Sequence, residues 1–207
     1  MENNKLPIYK LTIDENDSDE YTFALVDQPA IDKYFQAFSE VKKQVFQIQN
    51  EEKRIISGAL MVANMPIFRS DEQGQYYVMF DGDTITKIAQ KFFKNSNQSN
   101  VNLMHDPKKQ VDGVYMFESI VIDSQRGTKA PASFGELPDG SWFGSFKVEN
   151  DLIWNEFIKT GVFKGFSIEG LFKHEPQGEA SAQTLENLHD RMAKLRSELE
   201  KLKQSES

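Results

Sequence analysis

Gly161-Val162-Phe163-Lys164-Gly165-Phe166-Ser167-Ile168-Glu169-Gly170-Leu171-Phe172 is the stretch on which the fold reading turns. It is rich in aromatic and branched residues, it follows a short helical pattern, and glycine stands at both ends, which together predict a strand. Strand side chains alternate between faces. Val162, Phe166, Ile168 and Phe172 then form an almost wholly apolar face. Phe163, Gly165, Ser167, Glu169 and Leu171 share the other, with a hydroxyl and a carboxylate two residues apart. A serine in such a strand ordinarily only bonds its neighbours. The segment is not a nucleophile elbow either: that motif needs glycine two residues to each side of the serine, on a strand-to-helix turn. If Ser167 attacks anything, it does so from a strand.

Outward from this stretch, other strands are predicted at Pro7 to Ile13, Tyr21 to Val26, Gln44 to Gln49, Lys53 to Ala63, Ile67 to Arg69, Tyr76 to Phe80, Val101 to His105, Val114 to Asp123 and Trp142 to Val148. Ala30 to Phe38 fits a short helix or a strand. Ile85, Ile88, Ala89, Phe92 and Phe93 fall at helical spacing behind a cap at Asp83 or Thr84. A second helix, capped by Asn150 or Asp151, carries Ile153, Trp154, Phe157 and Ile158 and ends at Gly161. Ser124 to Pro138 reads as a long, mobile loop. Many short strands with two helices between them give an α+β fold on a small, mainly antiparallel β-barrel or sheet. The organisation is N-terminal strands over residues 1–52, a core over 53–173, a linker over 174–183 with Pro176 and Gly178, and a helix over 184–207. In that helix Leu185, Leu188, Met192, Leu195, Leu199 and Leu202 keep a heptad seam, the pattern of self-association or of a helix folded back on the domain.

Composition removes several classes. The chain has 207 residues, 39% hydrophobic and 27% charged, as in soluble globular proteins. A net charge of -8 without a dense basic patch argues against nucleic-acid binding. The absence of cysteine excludes disulfides and thiol chemistry. No apolar signal core follows Met1-Glu2-Asn3-Asn4-Lys5, and no run approaches membrane-spanning length, so a cytoplasmic protein without membrane contact is expected. With three histidines and no HxxxH or HxH spacing, neither a metal site nor a cofactor is expected.

A serine hydrolase needs a base on the hydroxyl and a third group that orients the base. His189 lies on the tail helix. His174, an odd offset from Ser167, faces away from it. His105 ends a strand and is the candidate base. Residues i and i+2 on a strand stand roughly 6.5–7 Å apart, a span one imidazole bridges, so Glu169 fits the orienting role. Glu118 is the alternative.

The pieces Asn102-Leu103-Met104-His105-Asp106, Tyr115-Met116-Phe117-Glu118-Ser119, Gly140-Ser141-Trp142 and Gly165-Phe166-Ser167-Ile168-Glu169-Gly170, with Leu25-Val26-Asp27-Gln28-Pro29-Ala30-Ile31, resemble tailed-phage prohead proteases, in the serine protease branch found in prophages. The resemblance runs from about Leu6 to Phe172. It implies a barrel similar to herpesvirus assemblin, with Ser167 as nucleophile and His105 as general base. It also implies an endopeptidase acting inside the immature capsid, in the host cytoplasm, on scaffold and major capsid protein. Relatives take the third catalytic residue from a strand well after the serine. Here that role is left to Glu169, Glu118 or His174, in that order, or to a Ser-His dyad. The tail then reads as a scaffold-like segment through which copies associate, with Ala180-Ser181-Ala182 as a self-cleavage site. The alternative is a capsid-assembly protein without catalysis.

Overall fold

The computed structural model describes residues 6–14, 21–27, 46–51, 53–72 and 74–180. Its strands in chain order are β1 (Leu6–Thr12), β2 (Thr22–Val26), β3 (Gln47–Asn50), β4 (Ile55–Met61), β5 (Ile67–Asp71), β6 (Gly74–Met79), β7 (Val101–Leu103), β8 (Asp106–Gln110), β9 (Val114–Val121), β10 (Trp142–Val148), β11 (Gly165–Glu169) and β12 (Lys173–Ala180). One α-helix, α1 (Gly82–Lys94), lies between β6 and β7, and a π-helical segment, Ile153–Ile158, lies between β10 and β11. The fold is mixed α+β and mostly strand. The strands form three four-stranded sheets, ordered β12-β1-β6-β5, β3-β4-β10-β9 and β11-β2-β7-β8. The pairs β1–β6 and β2–β7 are parallel and the others antiparallel. The expected barrel is not what forms: the described strands close into no barrel.

The core sits where these sheets face one another. Phe23 of β2 is fully buried and meets Phe92 of α1, Trp142 and Phe146 of β10 edge-on, at centroid distances of 5.4, 5.2 and 5.9 Å. Phe146 stacks on Phe166 of β11 at 4.7 Å. Edge-to-face and offset contacts of this kind suit the ring quadrupole. The apolar face of the Ser167 strand therefore points inward, as its alternation predicted, and the Ser167 face points away from the core. The strand is shorter than the sequence suggested. Phe163 precedes it and stacks on Phe157 at 5.0 Å, and Leu171 lies beyond it, exposed. Gly170 ends it for a steric reason. A Cβ there would come within 2.3 Å of the buried Tyr21 ring, whose hydroxyl donates to the Leu171 carbonyl at 3.3 Å.

Several boundaries move. The cap of α1 is Asp81, two residues before Asp83 and three before Thr84, and its carboxylate accepts from the Thr84 N–H at 2.8 Å. Of the two candidate caps for the later helix it is Asn150 that accepts, from the Ile153 N–H at 3.0 Å. Asp151 instead pairs with Arg54 at 2.5 Å. The largest change concerns residues 174–183, read as a linker. Lys173–Ala180 is β12, antiparallel to β1 from Thr12↔Lys173 to Leu6↔Ala180, with a bulge at Ile8/Tyr9. Pro176 stands opposite Tyr9 in a strand at the edge of its sheet, where a residue without an N–H costs no ladder bond. The heptad helix and the segment Ala30 to Phe38 lie outside the described residues.

Candidate active site

The sheet β11-β2-β7-β8 carries the candidate residues. Ser167 of β11 is opposite Ala24 of β2, and Ala24 is opposite Asn102 of β7. Directly opposed residues point to the same side. One face of this sheet thus holds Ser167, Glu169, Thr22, Ala24 and Asn102, while Phe166, Phe23 and Leu25 hold the other.

His105 arrives on that face by a route the sequence did not suggest. It was expected on a strand, sharing the side of Val101 and Leu103, which would turn it toward the core. Instead β7 ends at Leu103, and Met104 and His105 are the two central residues of a tight hairpin into β8, with Leu103 opposite Asp106. Both have positive φ, 54° and 60°. Two left-handed residues make the hairpin turn whose twist matches the strands. For L-residues with side chains this conformation is costly, and strain of this kind gathers at functional sites. The turn swings the imidazole onto the Asn102 side of the sheet. Asp106-Pro107 opens β8.

There His105 Nδ1 lies 2.7 Å from Glu169 Oε1. A carboxylate can only accept, so Nδ1 carries a proton, and in the neutral imidazole Nε2 is left with its lone pair. The second carboxylate oxygen, Oε2, accepts from Asn102 Nδ2 at 2.5 Å and from Thr22 Oγ1 at 3.1 Å. Glu169 is thereby held from three sides, by β2, by β7 and by the turn that follows β7. The His105 side chain is 43% exposed and that of Glu169 27%, so the pair is open to an incoming ligand and solvent screens its charge. Ser167 is half-buried, two residues before Glu169, and its hydroxyl bonds to no described residue. The structure thus joins His105 to Glu169 and puts Ser167 beside them on one face, with no hydrogen bond between Ser167 and His105.

The alternatives for the third group go elsewhere. Glu118, on β9, accepts from Ser145 of β10 in another sheet. His174, on β12, packs edge-on against Tyr9 and Tyr76 at 5.8 and 6.1 Å, in the sheet of β1 and β6. The Ser124 to Pro138 loop, with Arg126 and Lys129, is pinned rather than free. Ser124 donates twice to Asp139, and Phe134 packs on Phe143 at 4.8 Å. These contacts belong to the β10 sheet and not to that of Ser167. Among the described residues no cluster of three or more His, Asp or Glu forms a metal site, and no helix is long and apolar enough to cross a membrane.

Sequence reasoning missed Thr22 and Asn102. Each lies in a stretch already read as a strand, and both are ordinary polar strand residues. Only the pairing of β2 with both β11 and β7 brings them to one carboxylate. Asn102 did stand in a quoted segment, three residues before His105.

No curated protein and no solved structure matches the chain. A family model does, over residues 40–175, and its description reads "Putative phage serine protease XkdF". The match takes in β3 to the start of β12, including His105, Ser167 and Glu169. The chain belongs to this XkdF family of phage serine proteases.

Proposed function

We propose that the chain is a serine endopeptidase of phage capsid maturation, with Ser167 as nucleophile, His105 as general base and Glu169 as the group that orients the base. The observation that carries this reading is the 2.7 Å contact of His105 Nδ1 with Glu169, on the strand face that also bears Ser167. It leaves Nε2 as the proton acceptor, the tautomer that a hydroxyl nucleophile needs.

The steps follow. Ser167 Oγ attacks a peptide carbonyl as its proton passes to His105 Nε2. Glu169 stabilises the imidazolium. The tetrahedral intermediate expels the amine, which takes the proton back from Nε2, and a water then hydrolyses the acyl-serine by the same relay. Backbone N–H donors for the oxyanion complete such a site, at roughly 3–4 kcal/mol for each donor in enzymes where it was measured. The substrates that the family resemblance implies are scaffold and the extensions of the major capsid protein, cut inside the immature capsid in the host cytoplasm. Residues 184–207 would serve for association of copies or with scaffold.

Self-cleavage at Ala180 now requires the end of β12 to leave β1, because Ala180 pairs with Leu6. Mass spectrometry of concentrated, active protein over time tests it, and a chain that stays intact rules it out.

The central test is labelling of the full chain with a fluorophosphonate. The reading expects one adduct, on Ser167, and none in Ser167→Ala or His105→Ala. An adduct on another serine, or none under conditions where the protein processes capsid precursors, overturns it.

A further inference from the structure

Glu169 and Asn102 are not neighbours in the sheet. Glu169 is on β11, Asn102 is on β7, and β2 runs between them. Strands two apart are separated by roughly 9–10 Å. The carboxylate crosses that gap on the diagonal, past Thr22, which stands opposite Glu169 and donates to the same Oε2, to reach the Asn102 amide at 2.5 Å.

The Asn102 amide is itself unusual. The residue is 5% exposed, and its Oδ1 is a buried acceptor without a partner. The other orientation of the amide would set Oδ1 against the carboxylate, oxygen to oxygen. So the carboxylate decides the orientation, and the unsatisfied acceptor is its cost. A buried asparagine that served packing or the ladder alone would be expected to satisfy both ends of its amide.

We infer that Asn102 is a positioning residue for the reaction. Its Nδ2 fixes Oε2 of Glu169, which turns Oε1 onto His105 Nδ1 and keeps the imidazole in the tautomer with Nε2 free. Thr22 is the second, weaker hold. The inference rests on the proposed roles of Ser167, His105 and Glu169, but it has a readout independent of them.

The informative substitution is Asn102→Leu, similar in branched shape and without polar atoms. It removes the donor and the unpartnered acceptor together, so the fold is expected to keep its thermal stability or gain some. The fluorophosphonate labelling rate of the full chain is expected to fall roughly 10–100-fold, the scale seen when the partner of a ligating side chain is removed. The probe concentration giving half-maximal rate should stay unchanged. The His105 Nδ1–H proton resonance, expected downfield in the native protein, should disappear. Thr22→Val should slow labelling only a few-fold and keep the resonance. Should Asn102→Leu fail to fold, Asn102→Ala removes the same amide without added volume and takes its place. A native labelling rate, or a retained His105 resonance, in the folded variant overturns the inference. If native protein is not labelled at all, the catalytic reading falls, and the resonance alone then decides whether Asn102 holds the pair.

Discussion

Two places in this molecule set a serine and a glutamate together on strands, and they differ in which group is already engaged. In the β10 sheet, Ser145 donates to Glu118 and shares a 2.7 Å hydrogen bond with Ser57. Both serines are 2% exposed. Since Ser145 gives its proton to the carboxylate, Ser57 must give its own to Ser145. Every hydroxyl there is used up. In the β11 sheet the glutamate is the engaged partner, by His105, Asn102 and Thr22, and the Ser167 hydroxyl is left over. The first arrangement closes a polar gap between strands. The second leaves the Ser167 hydroxyl without a described partner and, on the proposed reading, holds the group that orients its base. Residue type does not separate them; the hydrogen-bond accounting does.

Removing each serine breaks the comparison most sharply. Ser167→Ala is expected to abolish fluorophosphonate labelling and proteolysis, by at least about 10⁴-fold. Its melting temperature should stay within about 2 °C, since the hydroxyl bonds to no described residue. Ser145→Ala should do the reverse. Labelling should stay within about threefold, while unfolding in urea shows a loss of about 1–3 kcal/mol, because Ser57 loses its buried partner. If Ser145→Ala lost the activity and Ser167→Ala lost the stability, the roles would be exchanged.

The two carboxylates separate next. Glu169→Gln can turn its amide N–H toward Nδ1, which drives the imidazole proton onto Nε2, where it blocks the base. A fall of about 10⁴-fold is expected, as for a triad acid changed to its amide. Glu118→Gln should leave the labelling rate within about threefold. A large loss in the latter would return Glu118 to the orienting role considered for it from sequence.

Legibility in the sequence followed the same division. Alternation in Phe166-Ser167-Ile168-Glu169 gave the inward and outward faces correctly, because a strand buried on one side leaves a period-two trace. The helix at Ile85 to Phe92 was visible for the equivalent reason at period 3.6. The assembly of strands into three sheets was not, because pairing joins residues far apart in the chain, such as Thr12 with Lys173. Nor was β12, where Pro176 and Gly178 imitate a linker and an edge position tolerates them. Ser167, His105 and Glu169 were singled out from residue types and family resemblance. How His105 reaches Glu169 was not legible, since a left-handed turn at Met104 and His105 has none of the glycine or asparagine that normally announces it.

That turn yields the third expectation. A residue with φ of 60° at His105 costs about 1–2 kcal/mol relative to glycine, and the exposed contact with Glu169 returns little of it. His105→Gly is therefore expected to raise the melting temperature by a few degrees while abolishing labelling. His105→Ala, equally inactive, keeps the strain and should gain nothing. The Ser145 region has no such trade. If His105→Gly melts no higher than His105→Ala, the turn stores no strain and the route of His105 onto the sheet face needs another cause.

The smallest effect concerns pH, and it separates the acid dependence of the fold from that of the site. Burial raises the Asp81 carboxyl, but hydrogen bonds from Lys10 and Thr84 outweigh it and hold the group below the ordinary carboxylate range. A depressed folded pKa stabilises the protein above the unfolded value, and that contribution is lost as pH falls through the folded one. Asp81 lies on the β6–α1 side of the molecule, away from His105. Asp81→Asn keeps a helix-capping side chain and removes the titration. It should flatten the acid limb of melting temperature against pH by a degree or two. The acid limb of the labelling rate should not move. If both limbs shift together, the loss of activity in acid reports partial unfolding rather than a change at the site, and the labelling rate no longer separates the site from the fold.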